Sequence, residues 1–248
     1  YLKNNEICIQ SRAGNVFENF NVLKNQLKNI FTILGENVYL DGELFTDEFS
    51  FQELSGLVRI TEEKVTEKEL NKIDKIRYHV FDIYFVNTPD MPFKERFEKL
   101  QQLMKIKNIN LIHLVETTLV KDFNKADEMH DNYVSKGGEG LMIRDINSIY
   151  EPNKRSKYLQ KYKKFDEDEY KIVGFKDSER EKGLVIWVCE INSGIQFDVV
   201  PNGTKDERKD LYKIADKFIG KLLTVQYLGL TDDGIPKIAK GKDIREGY

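Results

Sequence analysis

Four short strings place charged or aromatic side chains where an apolar β-type run would normally close a core. They are Asp41-Gly42-Glu43-Leu44, Val80-Phe81-Asp82-Ile83-Tyr84, Glu139-Gly140-Leu141-Met142-Ile143-Arg144 and Leu159-Gln160-Lys161-Tyr162-Lys163-Lys164. Together they offer two glutamates, a flat ring and a cluster of lysines. That set suits the holding of a nucleotide and a metal ion during phosphoryl or nucleotidyl transfer. Glu43 lies inside the run from Tyr39 to Phe45, where a charge is costly to bury unless a metal or a hydroxyl uses it. Glu139 and Arg144 flank a short apolar strand, acid at one end and base at the other. Two separate glutamates converging on one site suit Mg²⁺, a hard ion that takes a few carboxylates and keeps waters. Strand periodicity puts Lys161 and Lys163 on one face with Leu159, and Gln160, Tyr162 and Lys164 on the other. Two lysines on one face repel unless an anion lies between them, and a phosphate is the obvious one.

Each string also has a structural reading. Asp41-Gly42 alone is a common hairpin turn. Gly137-Gly138, just before Glu139, would cap a helix, and a lysine-bearing strand can simply be a blunted edge. Phe81 alone reads as a core aromatic. The three histidines, His79, His113 and His130, show no partner spacing and are assigned no chemistry.

The elements that must position these residues follow from periodicity. Strands are expected over residues 5–10, 38–45, 77–86, 111–119, 141–145 and 158–163. Residues 11–15 read as a turn. Helices are expected over 16–31, 61–72, 92–105 and 124–136, the last ending at the glycine pair, and a helix or turn over 50–59. The mixture lacks strict alternation, so the fold class is α+β with antiparallel sheets. Asp166-Glu167-Asp168-Glu169 reads as an acidic hinge. Beyond it, strands at 170–176, 184–191, 196–200, 222–228 and 237–242, with a helix over 205–218, suit a small β-barrel of the oligonucleotide-binding (OB) type. The division expected is therefore residues 1–165 and 166–248.

A chain of 248 residues with 40% hydrophobic and 33% charged residues is ordinary for a globular protein. No apolar run approaches the roughly 20 residues of a membrane span, and no secretory signal opens the sequence, so an intracellular location is expected. Cys8 and Cys189 are far apart in apolar runs, which predicts buried free thiols. The net charge of −3 argues against a polyanion partner, yet Lys154, Arg155, Lys157, Lys161, Lys163 and Lys164 stand against the single acid Glu151 between residues 151 and 165.

Taken in order, the strings resemble the motifs of the covalent nucleotidyltransferases, and within them the ATP-dependent DNA ligases of compact viral and phage type. The resemblance runs from Ser11-Arg12 to Lys163, with the OB-like tail where such enzymes carry theirs. It implies an antiparallel adenylation domain and an OB-fold domain. It implies that the enzyme seals 5′-phosphate/3′-hydroxyl nicks in duplex DNA through lysyl-AMP and DNA-adenylate intermediates. ATP and Mg²⁺ or Mn²⁺ would be required, nicked DNA would be the partner, and the enzyme would be a monomer. By the same resemblance Arg12 would contact the ribose or phosphate, Glu43 would act on the ribose and metal side, and Phe81 would stack on adenine. Glu139 would ligate the metal, and Arg144, Lys161 and Lys163 would handle phosphates. Lys240, Lys242 and Arg245 occupy the region of the last motif, which orients the leaving pyrophosphate and lies near DNA; it is degenerate here. The family's nucleophile is the lysine of Lys-x-Asp-Gly, and that motif is absent from these 248 residues. The expectation is an upstream segment that carries it. An RNA ligase, a capping-type enzyme or a noncatalytic DNA-binding relative are the alternatives.

Overall fold

The computed structural model describes residues 1–231 and 233–245. The chain divides into two compact units: residues 1–127 with 142–161, and residues 128–141 with 162 onward. The first unit opens with a hairpin, β1 (Leu2–Lys3) and β2 (Glu6–Ile7), in place of one strand over 5–10. Asn4 and Asn5 turn it in left-handed conformation (φ 51° and 63°), which asparagine tolerates better than most residues. The turn at 11–15 forms as expected: Gly14 at φ 85° donates to the Ser11 carbonyl at 2.9 Å. That turn folds Val16 back to bridge Gln10, and the Phe17 N–H donates to the Ile9 carbonyl at 2.8 Å. Helix α1 (Asn21–Leu34) consequently starts later than its apolar spacing suggests, and it buries Leu23, Leu27, Ile30 and Phe31.

Strands β3 (Val38–Phe45), β4 (Arg77–Phe85) and β5 (Ile112–Leu114) form one sheet in that order. The first pair is antiparallel and the second parallel, so the sheet is mixed. Strand β5 is much shorter than the run 111–119. Between β3 and β4 lie α2 (Phe51–Leu57), capped by Ser50, and α3 (Glu67–Ile73). Thr66 and Glu69 make a reciprocal capping box, which starts α3 past Thr61. Helix α4 (Phe93–Leu103) packs on β4. Further elements are α5 (Phe123–Ser135) and the two-stranded sheet of β6 (Leu141–Arg144) and β7 (Leu159–Tyr162).

One irregularity in β4 decides which side chains leave the core. Asp41 pairs with Asp82 but Gly42 with Val80, so Phe81 is an extra residue in the ladder. A bulge of this kind shifts the inside/outside phase of the strand. Tyr78 and Val80 pack into the core before it, and Ile83 and Phe85 after it. His79, Asp82 and Tyr84 consequently share the opposite face.

The second unit is built on a closed five-stranded barrel. Its strands are β8 (Asp166–Asp177), β9 (Val185–Glu190), β10 (Gln196–Pro201), β11 (Leu222–Tyr227) and β12 (Lys240–Ile244), in the order β10-β12-β11-β8-β9. Helix α6 (Lys205–Lys213) and a 3₁₀ turn (Ala215–Phe218) precede β11, and Trp187, Cys189, Val199 and Val225 are fully buried inside. Burial pushes the Cys189 thiol up to about 12, whereas Cys8 is only half-buried, against expectation. The acidic run 166–169 is likewise no hinge. It is the first half of β8, laid antiparallel on β11 from Tyr227 to Thr224. Alternate acids meet cations from the barrel's far end: Lys242 contacts Glu167 at 3.0 Å and Arg245 contacts Glu169 at 2.7 Å. Those pairs let four consecutive acids lie in a strand.

Candidate functional site

The face of β3 and β4 turned from the core carries Tyr39, Asp41, Glu43 and Phe45 opposite Tyr84, Asp82 and His79. Gly42 is required there: a Cβ would lie 2.7 Å from the Tyr78 ring and 2.6 Å from the His79 carbonyl. The centre of this face is Asp82, 1% exposed. It accepts from Arg96 Nε at 2.8 Å and Nη2 at 3.0 Å, from its neighbour Ile83 N–H at 2.8 Å, and from Arg144 Nη1. Arg96, itself 2% exposed, also donates to the Met91 and Ser148 carbonyls. Arg144 lies over the Phe93 ring at 4.3 Å. One buried carboxylate thus holds two guanidinium groups, and the full hydrogen bonding is what makes this burial tolerable.

Asp41 accepts the Tyr150 hydroxyl at 2.8 Å. Burial raises its carboxyl above the ordinary range and the charge of Asp82 adds to that, while the Tyr150 hydrogen bond and the charges of Arg12 and Arg144 oppose it. Arg12 itself is an exposed side chain on the 11–15 turn. Tyr150 stacks near Tyr84 at 5.0 Å, Tyr84 near Tyr39 at 6.3 Å and Tyr39 near Tyr1 at 4.9 Å, a row of rings beside Asp41. Glu43 is exposed, so the cost of burying it does not arise. Its run alternates, and Leu40 and Leu44 are its apolar residues that pack on the core. Phe81, half-buried, marks the bulge. His79 stacks on His113 at 5.4 Å and meets Phe45 edge-on at 5.3 Å. Burial, then the neighbouring His113, holds its pKa below the usual histidine range.

In the second unit, Glu139 and Lys163 meet at 2.8 Å. The helix cap expected of the glycines is present: Gly137 donates to Val134 at 2.9 Å and Gly138 to Tyr133 at 3.0 Å. Gly140 has a different role. At φ 141°, its missing Cβ would lie 2.6 Å from the Tyr162 carbonyl, so only glycine lets the backbone after Glu139 pass this close to the backbone before Lys163. Lys163 is 14% exposed and Glu139 is 83% exposed. Tyr162 and Lys164 face away from Lys163, as the alternation predicts, and meet α5. Tyr162 packs edge-on against His130 at 5.3 Å, and the Lys164 ammonium donates to both Asp131 oxygens at 2.8 and 3.0 Å. That contact, then His130, lowers the pKa of Asp131. Lys161 is exposed.

Among the described residues no three His, Cys, Asp or Glu side chains are grouped to hold a metal. Glu43 in the first unit and Glu139 in the second are each exposed carboxylates, a donor type that a hydrated hard cation takes. Mg²⁺ is usually held by one or two carboxylates with substrate phosphates and retained waters, not by a closed protein cage.

Of the residues singled out from the sequence, Arg12, Glu43, Phe81, Arg144 and Lys161 fall in the first unit and Glu139 and Lys163 in the second. Arg144 is engaged with Asp82, and Lys242 and Arg245 with acids of β8; Lys240 lies exposed on β12. Sequence reasoning missed Asp82, Arg96, Tyr150 and His130. A signal existed for Arg96, which occupies the apolar stripe Phe93-Arg96-Phe97-Leu100 of α4, where an arginine implies a buried acid.

Comparison with known proteins identifies the family. Residues 1–163 match the model of the ATP dependent DNA ligase domain, and residues 179–245 that of a DNA ligase OB-like domain. A DNA ligase of African swine fever virus is 30% identical over 254 residues, covering 97% of this chain and 58% of the relative. The DNA ligase of Enterobacteria phage T4 is 25% identical over 278 residues, covering 92% and 56%. The chain therefore spans a little over half the length of the relatives it matches. Among solved structures, Pmar-Lig_PreS3 gives a TM-score of 0.74 at 20% identity, covering 99% of this chain and 60% of that one. A Lig E DNA ligase gives 0.65 at 24% identity, covering 83% and 76%. Both likenesses concern the fold. With two thirds of its length matched by that one domain model and a ligase-type barrel after it, the chain belongs to the ATP-dependent DNA ligase family.

Proposed function

We propose that this chain forms the nucleotide pocket and the DNA-facing barrel of an ATP-dependent ligase that seals 5′-phosphate/3′-hydroxyl nicks in duplex DNA. The observation that carries this is the junction of Glu139 and Lys163, joined at 2.8 Å through a backbone approach that only Gly140 permits, inside a chain of this family. The division proposed is residues 1–165 for nucleotide transfer and 166–248 for the OB domain. The start of β8 at Asp166 supports it, although residues 128–141 and 162–165 cluster with the barrel.

In this reading AMP passes from ATP to a lysine outside these 248 residues, then to the 5′-phosphate of the nick, and leaves when the 3′-hydroxyl attacks. Phe81 stacks on adenine, Glu43 accepts from the ribose hydroxyls, and Arg12 contacts the ribose or the phosphate. Lys161 and Lys163 stabilise charge on the transferring phosphate, and donors fixed in advance do this at little reorganisation cost. Arg144 contributes its charge from behind, held by Asp82. Glu43 in the first unit and Glu139 in the second are each proposed as carboxylate ligands for Mg²⁺ or Mn²⁺, an ion that when bound would supply charge neutralisation to phosphate oxygens and favour an unprotonated attacking lysine. The barrel would engage the DNA through the charge of its phosphate backbone, without reading bases. The working form is a monomer inside the cell or the viral replication site.

A substrate whose nick is already 5′-adenylated bypasses the absent lysine. The chain should join it, and Glu139→Ala and Lys163→Ala should each lower the rate by about 10²-fold or more, the scale of losing one preorganised charge contact. Sealing that is indifferent to both substitutions would leave a DNA-binding module in place of the enzyme.

A further inference from the structure

We infer that His130 and Asp131 are positioning residues for Lys163; the inference rests on the reading of Lys163 as a phosphate-handling lysine. His130 lies in α5 and is 4% exposed. Its Nε2 accepts the backbone N–H of Lys164 at 3.4 Å. A ring nitrogen that accepts carries no proton, so the proton is on Nδ1, which donates to Asp131 Oδ1 at 3.0 Å. The ring meets Tyr162 edge-on, and Asp131 grips the Lys164 ammonium. The residues before and after Lys163 are thus both anchored on the same turn of α5. Successive side chains of an extended backbone point to opposite sides. Fixing Tyr162 and Lys164 on the helix side therefore directs Lys163 to the other, where its ammonium reaches Glu139. Strand β7 ends at Tyr162, so the Lys164 N–H lies beyond its ladder and uses the imidazole as acceptor. The imidazole supplies that acceptor and a packing surface for Tyr162 at once. Neither His130 nor Asp131 needs to touch phosphate; they act through Lys163.

Lysine-selective acetylation read by mass spectrometry measures the seating of Lys163 directly. In His130→Ala, Lys163 should react about fivefold faster than in the wild-type chain, the ratio expected for loss of one net hydrogen bond, with Lys28 on α1 unchanged. His130→Gln, whose side-chain oxygen can take the Lys164 N–H, should restore most of the protection. Asp131→Asn alters a side chain that is 63% exposed, and should raise the rate by a smaller factor. Equal Lys163 rates in the wild type, His130→Ala and Asp131→Asn would overturn the inference. A His130→Gln chain as reactive as His130→Ala would also overturn it, because lost packing alone predicts that result. On adenylated nicks, His130→Ala should lower kcat with little change in KM. A wild-type chain that seals no such nick would refute the ligase reading, while acetylation still decides the positioning role.

Discussion

Arg144 donates to a carboxylate oxygen of Asp82 across a separation of 62 residues, sharing that acid with Arg96 from α4. The contact ties β6 to the centre of β4. Removing the acid strands two cations, one of them 2% exposed. Asp82→Ala should therefore cost about 3–5 kcal/mol, the usual penalty for breaking a buried pair. Arg144→Met leaves Asp82 paired with Arg96 and should cost clearly less. Urea denaturation of both variants checks the order.

Tyr150→Phe removes the hydroxyl that Asp41 accepts. Burial already raises the Asp41 pKa in the folded chain, and this hydrogen bond is the main opposing influence. A raised carboxyl favours folding below its unfolded pKa and loses that contribution as pH rises through the folded value. Without the hydroxyl the folded value rises further. The variant should thus be destabilised more at pH 7, by about 1.5–3 kcal/mol for a bond to a charged acceptor, than at pH 4. Chemical denaturation at the two pH values gives the difference; an equal loss at both would mean that Asp41 is not the group affected.

Gly140→Ala should destabilise by about 1–3 kcal/mol, because both its left-handed backbone and the Tyr162 carbonyl oppose a methyl group. Sealing of adenylated nicks should fall more steeply than stability, since the strain sits beside Lys163. Gly194→Ala, in the β9–β10 turn of the barrel, is the control: it has the same kind of φ but nothing within 4 Å, and should leave sealing unchanged.

The double change Glu167→Gln with Glu169→Gln frees Lys242 and Arg245 on the barrel. Exposed ion pairs are worth about 0–1 kcal/mol, so folding should hardly change. Affinity for nicked DNA at low salt should rise, and its dependence on salt should steepen by about one to two released counterions. Fluorescence anisotropy across a salt series measures both.

The legible part of this molecule was whatever short-range chemistry dictates. Strand β3 ends at the residues its pattern gives, the turn at 11–15 forms where Gly14 allows it, and α5 stops at its glycine pair. Tyr162, Lys163 and Lys164 alternate as period two requires. What escaped depends on partners distant in sequence. Four acids in a row look like a solvated hinge until Lys242 and Arg245 arrive beside them. Val16 and Phe17 carry a helical spacing that a hairpin return overrides. His130 shows no motif, because one of its partners is a backbone N–H, which is invisible in a list of side chains.

The extra residue at Phe81 makes the two halves of β4 behave like text read in different frames. Before it, even-numbered positions enter the core; after it, odd-numbered ones do. If Phe81 were instead drawn into the ladder opposite Asp41, the strand beyond it would be rephased, sending Asp82 inward and Ile83 outward. The bulge thus keeps Asp82 on the outer face by holding Phe81 out of the pairing, and the ring that marks the frame shift is the one proposed to receive the adenine.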